Sequence, residues 1–130
     1  MDSIDYEILK ILKKDARIKY VTIAKIVGLS EGAVRRRIKK MLQERVIRRF
    51  TIETPLGFEG IVLIRTEPTR TKDVVAKLRK IADKVFEVSG SHDIAVFIQA
   101  DTMEDLNRKI DDIRRIPAVL NTNTLIKLKD

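Results

Sequence analysis

The segment GLSEGAVRRRIKKML, residues 28–42, places a helix-ending glycine and a helix-starting serine only two positions apart. Gly28 follows the apolar run VTIAKIV and suits a C-cap, because glycine readily adopts the left-handed conformation that ends many helices. The Ser30 hydroxyl can accept a hydrogen bond from a free amide of a following helix. The sequence therefore predicts a helix over 21–27, a tight turn, and a second helix from Ser30 to about Glu44.

The second of these helices has one apolar side and one basic side. At 100° per residue, about one third of its circumference is apolar and is formed by Val34, Ile38, Met41 and Leu42. The opposite side is basic around a glycine and is formed by Gly32, Arg35, Arg36, Lys39 and Lys40. An amphipathic helix over 4–12 precedes the pair, so we expect three helices to close a small core and to leave the basic side exposed.

The positive charge of the chain is concentrated in the same part. The whole sequence has 27 Lys and Arg against 19 Asp and Glu, a formal net charge of +8. Residues 1–53 hold 14 basic and 7 acidic side chains, whereas the remainder holds 13 and 12. Such a field attracts nucleic acid or an anionic membrane surface. No apolar run reaches the roughly 18 to 20 residues that span a bilayer, and the acidic N-terminus does not suit a signal peptide, so we expect a cytoplasmic protein.

Cysteine is absent from the sequence, and His92 is its only histidine. These counts exclude disulfides, thiolate chemistry and cysteine-ligated zinc, and they argue against a transition-metal centre. We therefore expect no catalytic residues, no metal and no cofactor. Charged residues make up 35% of the chain, which together with the Ile- and Val-rich apolar set suits a thermophilic source.

The sequence changes character after residue 53. The segment VIRRFTIE, residues 46–53, alternates enough to predict a strand, and the Pro and Gly residues of TPLGFEG predict a connection. Strand and helix patterns then follow as βαββαβ, with strands at 61–66, 86–90, 93–100 and 119–128 and helices at 71–85 and 102–116. This order is that of the ferredoxin-like fold, an antiparallel sheet with helices on one face. The predicted fold class is α+β, with a helix-turn-helix domain over 1–53, a linker over 54–59 and a βαββαβ domain over 60–130.

The predicted sheet has two apolar faces. In its central strand, one side carries Ile94, Val96 and Ile98, and the other carries Ala95, Phe97 and Gln99. Two helices cover one face of such a sheet, so the other face needs a partner to exclude water. Each half of the chain is also small for independent stability. We therefore expect at least a homodimer.

A short helix, a glycine turn and a helix with exposed Arg and Lys form the arrangement that places a recognition helix in the DNA major groove. Arg35 and Arg36 can each donate two hydrogen bonds to the O6 and N7 acceptors of guanine, and Gly32 lets the helix approach the duplex closely. The predicted DNA-binding residues are Ser30, Glu31, Gly32, Arg35, Arg36, Arg37, Lys39 and Lys40. A solvated charged face is the alternative for an isolated helix of this kind. A membrane-surface helix fits worse, because the apolar side lacks aromatic residues.

Two motifs in combination resemble the Lrp/AsnC family, the leucine-responsive or feast/famine transcription regulators of prokaryotes. They are AKIVGLSEGAVRRRIK at 24–39 and SGSHD at 89–93, and the resemblance extends over nearly the whole chain. It implies a winged-type helix-turn-helix domain that binds double-stranded DNA and an amino-acid-responsive βαββαβ domain. It also implies homodimers that assemble to octamers or larger discs, with small amino-acid ligands between dimers near the G-x-x-D loop.

The resemblance assigns effector-binding roles to residues of that loop and of the last strand. These are Gly90, Ser91, His92, Asp93, Thr122 and Thr124. A glycine turn offers backbone amides to a carboxylate, a side chain such as Asp93 can pair with an ammonium group, and hydroxyls can orient either group. A plain hairpin turn and ordinary β-branched strand residues are the alternatives. His92 stands where the family commonly has an aromatic or acidic residue, and the linker is shorter than in most relatives.

Two other functions remain open from the sequence. Sirohaem decarboxylases share this frame, but one histidine and a nearly neutral second half offer little to hold a polycarboxylate tetrapyrrole. A nucleoid-organising protein would use the same basic helix for backbone contacts with slight sequence preference. The leading prediction is a transcription regulator and not an enzyme. In this regulator, binding of an amino acid alters the assembly of the protein, and the assembly alters its contact with DNA.

Overall fold

The computed structural model describes residues 1–129, and the end of the predicted second domain at residue 130 lies outside them. The chain forms two compact units, the first comprising Met1–Glu53 and the second beginning at Thr54. Within the described residues, no helix combines the length and the apolar character that crossing a membrane requires.

Helices occupy most of the first unit. They are α1 (Ser3–Lys14), α2 (Tyr20–Val27) and α3 (Glu31–Gln43). α2 ends at Gly28, whose φ of 74° is left-handed. The Ser30 Oγ starts α3, because it accepts a hydrogen bond from the Ala33 amide at 3.1 Å. The predicted helices and the predicted turn between them are therefore confirmed.

α1, α2 and α3 share one hydrophobic core. Its buried side chains are Ile8, Leu12, Ile23, Ala24, Val34, Ile38 and Met41. The spacing within α1 and α3 is that of an amphipathic helix, so one side of each is buried. The predicted apolar side of α3 is confirmed except at Leu42, which lies at the edge of the stripe and is 39% exposed. This packing leaves the basic side of α3 in solvent.

The strand predicted over 46–53 was wrong, and residues 1–53 contain no strand that could form the wing of a winged-type domain. Ile47 is partly buried against the core, and its amide donates to the Met41 carbonyl at 3.1 Å. From Arg48 onward the segment is exposed, and no strand of the described part of this unit lies beside it. Alternating apolar residues predict a face, but a strand forms only where a second strand completes its backbone hydrogen bonds.

The second unit has the predicted βαββαβ order. Its elements are β1 (Phe58–Thr66), α4 (Thr71–Leu78), β2 (Lys84–Glu87), β3 (Ile94–Ala100), α5 (Met103–Arg114) and β4 (Val119–Ile126), with a short 3-10 turn at Pro68–Arg70 before α4. In the described residues the strands form a four-stranded sheet in the order β2-β3-β1-β4, with antiparallel neighbours. Thr102 starts α5, because its Oγ1 accepts from the Asp105 amide at 3.1 Å. The ferredoxin-like α+β fold class is confirmed.

The helix predicted over 71–85 ends early, at Leu78, and the following strand begins at Lys84 instead of at residue 86. Asp83 accounts for the difference, because its backbone and its side chain both form hydrogen bonds with the backbone of β3. Its amide donates to a β3 carbonyl at 2.9 Å, and its carboxylate accepts from a β3 amide at 2.9 Å. The apolar residues between α4 and β2 still pack on the same core, so their spacing resembled that of a continuing helix.

The sheet has one covered face and one open face. The side chains buried between the sheet and the helices α4 and α5 include Val62, Ile64, Ile94, Val96 and Ile98. On the open face, Ile61 of β1 lies opposite Phe97 of β3 and Leu125 of β4. Ile61 and Leu125 are 45% and 51% exposed, so an apolar row crosses the open face. The two apolar faces predicted from the β3 sequence are confirmed.

Candidate nucleic-acid interface and effector site

The basic side of α3 is exposed over the whole helix. Arg35, Arg36, Lys39 and Lys40 are all exposed, and Lys40 Nζ lies 4.0 Å from Glu44 Oε1. Within the described part of the chain, no salt bridge engages Arg36 or Lys39. These side chains therefore present cationic groups that are available to a polyanion.

Arg35 is held by two neighbours. Its Nη2 donates to Glu31 Oε1 at 2.9 Å, one turn earlier on α3. Its guanidinium carbon lies 5.1 Å from the centroid of the Tyr20 ring, at the start of α2. The Arg35 and Glu31 side chains are each more than half exposed. The guanidinium has five N–H donors, so it can keep this bond and still bind a second acceptor.

Gly32 lies beside the guanidinium of Arg36. A Cβ at Gly32 would lie 3.4 Å from Arg36 Nη1, so this guanidinium rests against the surface of α3 one turn back. The missing side chain also keeps the first turn of α3 thin, which allows the backbone to approach a duplex closely.

Arg37 has a different role from the other cations of α3, and here the structure departs from the predicted DNA-binding set. Its Nη1 donates to both carboxylate oxygens of Asp2 at 2.8 Å and to Asp5 Oδ1 at 3.1 Å. Asp2 and Asp5 also cap α1, because each carboxylate accepts from the other residue's amide. Arg37 thus ties α3 to the first turn of α1, and its guanidinium is engaged there.

The ion pair shifts the titration of both partners. The pKa of Asp2 is lowered from 3.8 to about 2, mainly because the carboxylate accepts a hydrogen bond from Arg37. The hydrogen bond to Asp2 is likewise the main cause that raises the pKa of Arg37. A depressed carboxyl pKa means that the charged form stabilises the fold above the unfolded pKa, and that this contribution is lost as the pH falls through the folded pKa.

Replacing Arg37 with glutamine is therefore expected to reduce the loss of stability between about pH 4 and about pH 2. Urea unfolding at low salt across this range should show a smaller decrease in the free energy of unfolding for Arg37→Gln than for the wild type. Arg36→Gln is the matched control and should follow the wild type, because Arg36 does not contact Asp2. If the Arg37→Gln curve ran parallel to the wild-type curve, the ion pair would have no part in acid stability.

The G-x-x-D loop is fastened to the end of β1. Gly90 has a φ of 123°, a conformation that residues with a side chain rarely adopt. Asp93 Oδ2 accepts a hydrogen bond from the Thr66 amide at 2.9 Å. Arg65 Nε donates to the Ser91 carbonyl at 2.8 Å. Asp93 therefore holds the loop against β1, in addition to the ligand contact predicted for it.

Thr122 and Thr124 lie on β4, on the other side of β1 from this loop. Ile64 pairs with Thr122 on one side and with Ile94, the residue after the loop, on the other. Thr124 lies opposite Val62, and its Oγ1 is buried without a hydrogen-bond partner in the described structure. The loop and Thr122 thus flank the same end of β1, and Thr124 lies further along the sheet.

His92 bonds within the loop. Its Nδ1 lies 2.9 Å from Ser91 Oγ, and its side chain is partly buried. The described residues contain no group of three or more His, Cys, Asp or Glu side chains placed to hold a metal ion.

Both units match known protein families. A family model for the AsnC-type helix-turn-helix domain matches residues 1–42, and one for the Lrp/AsnC ligand binding domain matches residues 59–130. The chain belongs to the Lrp/AsnC family. The resemblance seen in the two motifs at 24–39 and 89–93 is confirmed.

Known relatives and solved structures match this Lrp/AsnC-family chain over nearly its full length. The HTH-type transcriptional regulator LysM of Saccharolobus solfataricus is 40% identical over 134 residues, which cover 99% of this chain and 94% of LysM. The crystal structure of PH0061 has a TM-score of 0.83 at 24% identity and covers 100% of this chain and 94% of its own. The transcriptional regulator NMB0573 of Neisseria meningitidis, solved as a complex with L-Met, has a TM-score of 0.72 at 20% identity, with coverage of 100% and 91%. These two structures share the fold.

In this Lrp/AsnC-family protein, sequence reasoning missed the side chains that contact the arginines of α3. Asp2 and Asp5 have the three-residue spacing of a capping box, so the start of α1 could have been predicted from them. Their ion pair with Arg37 depends on how α1 packs on α3. Tyr20 gives no local signal, because its approach to Arg35 depends on the packing of α2 against α3.

Proposed function

We propose that this Lrp/AsnC-family protein is a transcription regulator that binds double-stranded DNA with α3 in the major groove. The exposed cationic side of α3, which follows directly on the Gly28 turn, supports this proposal most directly. In helix-turn-helix proteins the second helix lies in the groove with its N-terminal residues at the base edges. The relative LysM is likewise named an HTH-type transcriptional regulator.

The residues of the proposed interface divide into base contacts and backbone contacts. Those in the first turns of α3 face the base edges; they are Ser30, Glu31, Gly32, Arg35 and Arg36. Lys39 and Lys40 lie one turn later and neutralise phosphates. Each neutralised phosphate releases counterions. A plot of log affinity against log salt concentration is therefore expected to have a slope of ~−0.9 for each phosphate contact.

A homodimer formed through the open face of the sheet supplies the second recognition helix. The apolar row of Ile61, Phe97 and Leu125 crosses this face, and burying it against a second copy removes apolar surface from water. Two copies of α3 then meet half-sites about one helical turn apart, ~34 Å or a multiple of it. These dimers then associate further into an octamer or a similar ring.

The effector of this regulator is an amino acid that binds near the G-x-x-D loop. The binding residues are Gly90, Ser91, His92, Asp93, Thr122 and Thr124, of which the loop and Thr122 flank one end of β1. The solved complex of NMB0573 with L-Met supports an amino acid as the ligand class. An effector that changes assembly couples to DNA affinity by ~1 to 3 kcal/mol, which corresponds to several-fold to about a hundredfold.

Thermal-shift screening against the twenty amino acids, with light scattering on the same samples, tests the effector. At least one amino acid is expected to raise the Tm and to change the mass, since a ligand at 100 times its Kd stabilises the native state by ~2.7 kcal/mol. Asp93→Asn keeps an oxygen acceptor for the Thr66 amide but removes the charge for the ammonium group, so it should lose the shift. Asp101→Asn, a change at an exposed residue outside the loop, should keep it. An equal shift in Asp93→Asn, or no shift with any amino acid, would rule out the proposed site.

Titration of two labelled duplexes at one salt concentration tests the regulatory function itself. One duplex is selected by the protein from a library with a randomised centre, and the other is a scrambled duplex of the same composition. A specific regulator is expected to prefer the selected duplex by about a thousandfold or more. A ratio near one would instead indicate a nucleoid-organising protein that binds the backbone alone.

A further inference from the structure

Arg35 and Arg36 are adjacent on α3 but differ in what restrains them. Arg35 is bonded to Glu31 at 2.9 Å and lies 5.1 Å from the Tyr20 ring centroid. In the part of the chain that the structure describes, neither a salt bridge nor an aromatic ring engages Arg36. Arg35 therefore has two restraining contacts that Arg36 lacks.

Tyr20 is a fixed platform. It is the first residue of α2, and its partly buried side chain packs against the core of the first unit. The guanidinium carbon of Arg35 lies over this ring, and Glu31 accepts a hydrogen bond from one of the guanidinium N–H groups. The remaining N–H donors are then directed as a planar fork, the geometry that two acceptors on one guanine require.

We propose that Tyr20 is a positioning residue that fixes the orientation of Arg35 and thereby sharpens the base preference at one position of the operator. The proposal rests on the proposed DNA-binding function and extends it to a residue outside α3. Cation–π contacts at exposed sites correspond to about a two- to fivefold effect on an equilibrium. Loss of the ring is expected to cost discrimination of this size at a single base pair.

A measurement without DNA tests the contact. The ¹⁵N relaxation of the arginine Nε–H groups is compared in the wild type, Tyr20→Leu and Tyr20→Phe, with thermal melting to verify folding. Arg35 is expected to be more ordered than Arg36 in the wild type and in Tyr20→Phe, and to be more mobile in Tyr20→Leu than in either, although its bond to Glu31 remains. If Arg35 has the same order in all three proteins, Tyr20 does not position it.

A measurement with DNA tests the consequence. Affinities are determined for the selected duplex and for its single-base-pair variants. Tyr20→Leu is expected to lower discrimination about two- to fivefold at one position, the position that Arg35→Ala also affects, and to add nothing in an Arg35→Ala background. Binding to random duplex and its salt dependence should stay unchanged, and Tyr20→Phe should match the wild type.

Three results would overturn the proposal. The first is that Tyr20→Leu lowers the affinity for every duplex by the same factor. The second is that it changes discrimination at a base pair that Arg35→Ala leaves unchanged. The third is that Tyr20→Phe lowers the affinity for every duplex by the same factor, which would point to a phosphate contact by the hydroxyl. A wild-type protein without any duplex preference would refute the proposed function together with the effect of Tyr20 on base preference. The relaxation measurement would then still decide whether Tyr20 holds Arg35.

Discussion

Replacing Arg35 and Arg36 together with alanine is expected to abolish the preference for the selected duplex over random DNA. Each bidentate contact to guanine contributes ~1 to 3 kcal/mol of discrimination, and a dimer with two copies of α3 loses four such contacts, so a preference of about a thousandfold should fall to near one. Alanine favours helix, and both side chains are exposed, so the fold should persist. Competition titrations at constant salt, with the selected and the scrambled duplex, measure the effect.

The matched control removes the same charge elsewhere. Lys72 and Lys77 are exposed on α4, and Lys72→Ala/Lys77→Ala should weaken binding slightly through the net charge without changing the preference ratio. The base-reading role of α3 is wrong if the arginine double variant keeps the wild-type ratio, or if the lysine double variant loses as much.

Replacing Ile61 with aspartate is expected to dissociate the dimer and to lower the affinity for a two-half-site duplex by about a hundredfold or more, because linked binding at two sites contributes factors of ~10² to 10⁴. Ile61 lies in the middle of the apolar row between Phe97 and Leu125. An aspartate there would place an unpaired charge in the dimer interface. Since Ile61 is 45% exposed in the single chain, the charge leaves the monomer fold intact. Sedimentation velocity measures the mass, and the duplex titration measures the affinity.

Ala76→Asp is the control for this substitution. Ala76 is exposed on α4, so an aspartate there adds the same charge away from the open face and should leave both mass and affinity unchanged. If Ile61→Asp stays dimeric and binds the duplex like the wild type, the open face does not form the dimer. A monomer that binds the duplex with full affinity would show that the second half-site contributes nothing.

The features that the sequence predicted correctly are those set by a few neighbouring residues. Gly28 and Ser30 act within one turn of each other, and their backbone and hydroxyl chemistry defines the ends of α2 and α3. Thr102 starts α5 in the same way. The alternation of Ile94 and its neighbours similarly encodes which face of β3 is buried, since successive strand residues point to opposite faces.

The features that were wrong depend on contacts distant in sequence. The segment 46–53 has the alternation of a strand, but the described first unit offers no strand to pair with it. Asp83 ends the α4 region because it bonds to the backbone of β3, and neither the register nor the partner can be inferred from the local pattern. Local periodicity thus predicted burial correctly after α4, where Ile81 and Ala82 pack on the core, but not in the segment 46–53, where Phe50 and Ile52 are exposed.

The candidate DNA site shows the same division. The exposed side of α3 followed from helical spacing alone, and that spacing also places Arg37 only about 60° from Val34, beside the packed face. Its pairing with Asp2 and Asp5 is therefore consistent with the helical geometry, although the identity of its partners required the packing of α1. The contact between Tyr20 and Arg35 had no sequence signal of any kind.

Sequencing the duplexes that the wild-type protein retains from a library with a randomised centre tests the central claim most directly. A dimer that places two copies of α3 in successive major grooves predicts a motif repeated with twofold symmetry, with the centres of its halves ~34 Å apart, about 10 base pairs, or a multiple of this distance. Retained duplexes without a shared motif, or with one unrepeated motif, would contradict the claim that two symmetry-related α3 helices read the operator.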